Sequence, residues 1–331
     1  MTAPGFPSLL QAFFSQRLIA ERGVSAHTVA SYRDTFELLL GFAHTRLQRA
    51  PSALAITDLD APLILEFLDD LETTRANSAQ TRNLRLTAIR SFMTYASLRD
   101  PTCLPTARRV LAISPKRFDR PTIDFLTRGE LDALLAAPDT DTFSGHRDAV
   151  LLAVLYNSGA RVSEIARLTN ADVLVDRQCA LQLHGKGRKQ RTVPLWTTTA
   201  RRLRAWQTCI DPAPEAPVFP NRFGRPISRS GINQRLQTAI TTAAIDCPSL
   251  ATRSISPHTM RHTTAMHLLQ SGVDITVIAL WLGHEDTATT HRYVEADLAM
   301  KKAALDRVDD PGGEPVQFTP RDQLLAFLEQ L

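Results

Sequence analysis

The sequence predicts a mainly α protein with a small antiparallel β-sheet, divided into two domains. Three observations carry this. Apolar residues recur at helical spacing through residues 1–112. The clearest strand–turn–strand signal, CALQLHGKGRKQRTVPLW, alternates β-formers around a glycine-flanked turn. Between the two lies 113–122, with two prolines, three basic residues and few apolar ones, which reads as an interdomain linker. A length of 331 residues accords with two domains.

The elements follow in order. Leu9, Phe13 and Leu18 begin a helical segment that stops at Gly23. Ser25 can cap a second helix, on which Val29, Tyr32, Phe36, Leu39 and Leu40 share a face. Asp60 can cap a third, LILEFLDDLE, and Ser78 a fourth, which must end before Pro101. This fourth helix carries Arg82, Arg85 and Arg90, on a face turned either to solvent or to phosphates. After the linker, Thr127 and Glu130 form a capping box. HRDAVLLAVLYNSG is apolar around most of its circumference, as a central buried helix would be. Helical patterns resume after the hairpin, from about 197. DPGGEP breaks the chain from 310, and an amphipathic tail helix, DQLLAFLEQL, follows. The domains are therefore expected at 1–112 and 123–309, with a tail at 310–331.

Composition narrows the function. Hydrophobic residues make up 44% and charged residues 22%, which excludes disorder, collagen and a small disulfide scaffold. The net charge of +4 permits a nucleic-acid partner without proving one. It is unevenly spread: 1–112 holds 12 basic against 10 acidic residues, 113–309 holds 25 against 20, and 310–331 holds 1 against 4. Of the 38 basic residues only five are lysines, at 116, 186, 189, 301 and 302. The four cysteines contain no CxxC pair, so reduced thiols in a cytoplasmic protein are expected, with no structural zinc. Neither a membrane span nor a signal peptide is expected.

Four motifs could carry chemistry. In His258-Thr-Met-Arg261-His262 the two histidines have the H-x-x-x-H spacing of zinc proteases, but Thr259 stands where the general-base glutamate would be. A guanidinium one turn from an imidazole suits an anionic phosphate instead. Arg161 follows the helix end at Gly159, with Glu164 three residues on as an ion-pair partner. Lys186 lies between two glycines at the hairpin tip. Trp281-Leu-Gly283-His284 leads, nine residues after the histidine, to Tyr293. Each alone has an ordinary reading, as a salt bridge, a solvated lysine or a core tyrosine.

Their order is what distinguishes them. G-A-R-x-S-E, then G-K-G in a hairpin, then H-x-x-R-H, then L-G-H, then Tyr resembles the catalytic domain of tyrosine recombinases, the phage integrase and Xer family, over roughly 122–300. The resemblance implies a helical core-binding domain at 1–112 and an α+β catalytic domain, together clamping a DNA duplex. It implies Tyr293 as nucleophile, forming a 3′-phosphotyrosyl bond. Arg161 and Arg261 would hold the non-bridging oxygens, Lys186 would be the general acid, His258 would assist proton transfer and His284 would hydrogen-bond the phosphate. Glu164 would orient Arg161. No cofactor, metal or ATP is expected, and GxxxxGK[ST] is absent. The candidates for phosphate contacts are Arg82, Arg85, Arg90, Lys116, Arg117, Arg120, Arg188, Lys189 and Arg191. Expected partners are double-stranded DNA at a specific site and a homo- or hetero-tetramer of recombinases. The tail helix either packs on its own domain, the more ordinary reading, or docks in trans on a neighbouring protomer.

After the tyrosine the sequence runs Val-Glu-Ala rather than the Thr-His common in Xer proteins. This favours integration, excision or transposition of a mobile element over resolution of chromosome or plasmid dimers. A type IB topoisomerase and a non-catalytic DNA-binding relative are the rival readings. No extra domain is expected ahead of the first helices, which argues against a reader of separate arm sites.

Overall fold

The computed structural model describes residues 5–118, 123–174, 179–185 and 189–283. These form two compact units that divide at residues 121 and 122.

The first unit is helical throughout. Helix α1 (Phe6–Ala12) widens into a π-helix over Phe13–Glu21, and the chain turns at Gly23, whose φ is +52°. Helix α2 (Ala26–Leu47) starts where Ser25 Oγ accepts from the Thr28 N–H. Helices α3 (Ala61–Thr73) and α4 (Ala79–Arg99) start in the same way on Asp60 and Ser78. Each of these side chains accepts one of the N–H groups that a helix start leaves unpaired. Helix α5 (Leu104–Leu111) follows a short 3₁₀ turn at Pro101. The core is strongly aromatic. Phe92 on α4 meets Phe6, Phe13 and Phe36 edge-on, with ring centroids 5.3–5.8 Å apart.

Beyond α5 the chain is held back against α4. The Asn83 side chain donates to the Lys116 carbonyl and accepts from its N–H, at 2.8 and 2.9 Å. Lys116 Nζ pairs with Glu72 on α3.

In the second unit, Thr127 and Glu130 complete the capping box that opens α6 (Arg128–Ala136). Helix α7 (Phe143–Ser158) is buried along most of its length and forms the centre of the unit. It ends at Gly159 with φ +56°, a left-handed conformation that favours glycine. The short helix α8 (Val162–Ile165) leads to a sheet of three antiparallel strands in the order β1 (Val173–Leu174), β2 (Ala180–His184) and β3 (Gln190–Pro194). Leu181 faces Val193 and His184 faces Gln190 across the hairpin. Helices α9 (Thr197–Gln207), α10 (Arg229–Ala243), α11 (Pro257–Gln270) and α12 (Ile275–Leu282) complete the described fold. It is thus a mostly helical chain with one small antiparallel sheet. Strand β1, two residues long, and helix α8, four residues long, are too short for sequence periodicity to reveal.

Among the described residues no helix is long and apolar enough to cross a membrane. The helix expected in the tail, with the whole of 310–331, and linker residues 119–122 lie outside the described residues.

Candidate active site

The site is built around the C-terminal end of α12. A helix leaves its last carbonyls without partners and carries partial negative charge there. Three successive carbonyls at this end accept from three different arginines. Trp281 O accepts from Arg191 Nε at 2.9 Å, Leu282 O from Arg261 Nη2 at 2.8 Å, and Gly283 O from Arg161 Nη2 at 3.4 Å. Gly283 caps the helix with φ +65°.

Each arginine arrives by a different route. Arg261 stands on the first turns of α11, which Ser256 caps and Pro257 opens. Its guanidinium is only 4% exposed and also donates to Gly159 O at 2.6 Å, so it joins the ends of α7 and α12. Arg161 follows the sharp turn at Gly159 and keeps 36% of its side chain exposed. Arg191 comes from β3, where it shares the inward side of the strand with Val193.

Glu164 lies among them with 2% of its side chain exposed. Its Oε1 accepts from Arg161 Nη1 at 3.1 Å and Arg191 Nη1 at 3.0 Å. Its Oε2 accepts from the Arg161 N–H at 2.8 Å and Arg191 Nη2 at 2.8 Å. Burial alone would push this carboxyl up. The Arg191 hydrogen bonds and the charges of Arg191 and Arg161 outweigh it and hold the carboxyl below the ordinary glutamate value. Two arginines on one carboxylate, with a third beside them, leave the site positive.

His258 stands in the first turn of α11. Its pKa is lowered, first by desolvation and then by the positive charges of Arg261 and Arg161. Its ring lies 6.3 Å from that of His262. Gly185, the residue before Lys186, lies against the same cluster: a methyl group there would sit 3.5 Å from Glu164 Oε1. Among the described residues no three His, Cys, Asp or Glu side chains gather as a metal site would require.

Of the residues expected from sequence, the structure brings together Arg161, Glu164, His258 and Arg261. Lys186, His284 and Tyr293 lie outside the described residues, as do Arg120 and Arg188. Three of the candidates for phosphate contact are turned inward. Arg191 is committed to Glu164. Arg82 is 6% exposed, beside Glu72 at 3.4 Å. Arg85 Nη1 donates to Ser31 O and Thr35 Oγ1 on α2. Arg82 Nε and Nη1 and Arg85 Nε are buried without a hydrogen-bond partner, so these groups are turned into the first unit rather than offered at the surface. Arg90 is part-exposed, and Lys116, Arg117 and Lys189 are exposed. The period-two alternation of β3 was the available signal for Arg191, since it sets Arg191 and Val193 on one face.

Comparison with known proteins adds an independent finding. Residues 124–300 match the profile described as the phage integrase family, and 11–100 that of the phage integrase N-terminal SAM-like domain. The chain is 47% identical over 323 residues to a Sinorhizobium fredii protein named integrase/recombinase y4rC, covering 98% of this chain and 97% of that one. It is 33% identical over 299 residues to tyrosine recombinase XerC of Xanthomonas campestris pv. campestris, covering 89% and 87%. Its fold is similar to that of the Tn1549 transposon integrase solved with circular intermediate DNA, with a TM-score of 0.70 at 14% identity, covering 91% and 99%.

Proposed function

Because this chain belongs to the phage integrase family of tyrosine recombinases, enzymes of site-specific DNA recombination, we propose that it cuts and rejoins DNA through Tyr293. The Tyr293 phenolic oxygen attacks a backbone phosphorus. The bond from phosphorus to the 5′ oxygen breaks, leaving a 3′-phosphotyrosyl bond and a free 5′-hydroxyl. The phenol loses its proton with help from His258, and Lys186 gives a proton to the leaving 5′ oxygen. Arg161 and Arg261 hold the non-bridging oxygens, where charge grows in the transition state, and His284 adds a hydrogen bond. A fixed donor of this kind contributes on the order of 10²–10³ in rate. Since the phosphotyrosyl bond conserves the energy of the broken one, the reaction needs no ATP, and Arg161, Arg261 and Lys186 would supply the charge stabilisation that a metal ion would otherwise give.

The observation that supports this best is the pair of guanidinium groups at the end of α12, with His258 close enough to be electrostatically coupled to both. An unperturbed tyrosine has a pKa of about 10, so its attack requires such strongly positive surroundings.

The first unit would act as the DNA-clamping domain, with Arg90, Lys116, Arg117 and Arg120 on phosphates, and Arg188 and Lys189 beside the hairpin tip of the second unit would add phosphate contacts. Arg82, Arg85 and Arg191 would serve the protein's own architecture. The working form on DNA would be a tetramer of this or related recombinases, with the tail docking between copies. The biological role that fits best is integration, excision or transposition of a mobile element. The 47% identity to y4rC and the Val-Glu-Ala after Tyr293 support it. The XerC relative supports dimer resolution as the second reading. Whether the gene lies within a mobile element separates them.

The test is trapping on a nicked duplex drawn from the DNA flanking the gene. The wild-type chain is expected to form a covalent protein–DNA adduct, and Tyr293→Phe none. An adduct of undiminished yield from Tyr293→Phe would overturn the mechanism.

A further inference from the structure

We infer that Arg191 is a positioning residue for strand cleavage, keeping Arg161 available to the phosphate by occupying Glu164. The inference rests on the proposed recombinase reaction and adds a residue to it.

A carboxylate and a guanidinium prefer a two-point, parallel pairing. Glu164 is three residues from Arg161 and almost fully buried, so Arg161 alone would be drawn into that arrangement. Here the two-point pairing belongs to Arg191, whose Nη1 and Nη2 take one carboxylate oxygen each, at 3.0 and 2.8 Å. Arg161 gives Glu164 one guanidinium hydrogen bond and its backbone N–H. A carboxylate has about four lone-pair positions, and these four bonds fill them. Arg161 thus has five guanidinium donors, of which one goes to Glu164 and one, at 3.4 Å, to Gly283 O. These bonds do not close Arg161 off, since its side chain stays 36% exposed.

The third donor of Arg191 fixes where this happens. Nε bonds Trp281 O, one carbonyl before the two that seat Arg261 and Arg161. Arg191 therefore ties β3, α8 and the end of α12 to one another, the three elements on which the geometry of Arg161 depends. Gly283 is part of the same seat. A side chain there would place its Cβ 3.0 Å from Arg191 Cδ and 3.1 Å from Nη1, besides straining a φ of +65°.

The test compares wild type, R191M, R191K, E164Q and the E164Q/R191M double variant. Single-turnover cleavage of the nicked flanking duplex and affinity for the same DNA are measured across a salt series. The R191M cleavage rate is expected to fall about 100-fold, the cost of a roughly 1 Å misplacement of a reacting group. DNA affinity should barely move, and the slope of log affinity on log salt should stay as in wild type. R191K keeps the charge without the fork and should fall between, which also guards against R191M failing to fold. In the E164Q background the R191M change should cost at most a few-fold, because Arg191 acts through Glu164. An undiminished loss in that background overturns the inference, and so does a wild-type cleavage rate in R191M. A loss confined to affinity, with the salt slope reduced by about 0.9, would make Arg191 a phosphate contact instead. Wild type forming its adduct while the Arg191 variants match it defeats this inference alone. Absence of any wild-type adduct defeats the recombinase reading as well.

Discussion

An imidazole beside two guanidinium groups is a poor place to hold a proton. His258 meets that condition, since desolvation first and the charges of Arg261 and Arg161 second lower its pKa from the ordinary value of 6.5. It is therefore neutral at neutral pH and able to accept the proton of a phenol. The sign of the pH effect follows. Protonation removes the acceptor, so cleavage should hold steady above the lowered pKa and decline as pH falls through it, below the range of an ordinary histidine. Single-turnover rates between about pH 5 and pH 8 read this limb directly. His258→Gln should be slower at neutral pH and should lose the limb. Persistence of the same limb in His258→Gln would assign it to another group.

The ends of helices, more than their faces, organise the site. The Gly159 carbonyl at the end of α7 and the three last carbonyls of α12 orient arginines that would otherwise repel one another. Gly159 shows how tightly the two ends meet. Its φ is +56°, and a Cβ there would come within 2.5 Å of Leu282 Cδ2. Gly159→Ala should therefore lower unfolding free energy by about 1–3 kcal/mol, from left-handed strain and overpacking together. Thermal and urea unfolding read the loss, and an unchanged midpoint would contradict the packing described. Much at this scale was legible in the sequence. Ser25, Asp60, Ser78 and Thr127 start their helices as expected, because capping depends on neighbours three residues away. The apolar circumference of α7 likewise announced its burial. The partners of Arg82 and Arg191 were not legible in this way, although the alternation of β3 sets Arg191 on the side of Val193. Their partners, Glu72 and Glu164, lie on other elements, and local spacing does not encode which elements meet.

At the scale of the whole chain, the two compact units match two profiles, that of the phage integrase N-terminal SAM-like domain at 11–100 and that of the phage integrase family at 124–300. The order of Arg161, Lys186, His258, Arg261, His284 and Tyr293 made the family recognisable from sequence. The geometry that makes the arginines useful emerged only from the fold, through the backbone carbonyls of Trp281, Leu282 and Gly283, a role that the side chains of the L-G-H motif do not announce. The excess positive charge of 113–309 suits binding along a phosphate backbone. The central claim is that this chain stores the energy of a cut strand on one tyrosine. Its most direct test is to digest the trapped wild-type adduct and identify the DNA-bearing peptide by mass spectrometry, with the DNA end assayed separately. The account predicts a nucleotide 3′-phosphate carried on Tyr293 and a free 5′-hydroxyl on the other end. A nucleotide on any other residue, or a 5′-phosphate linkage, would contradict it.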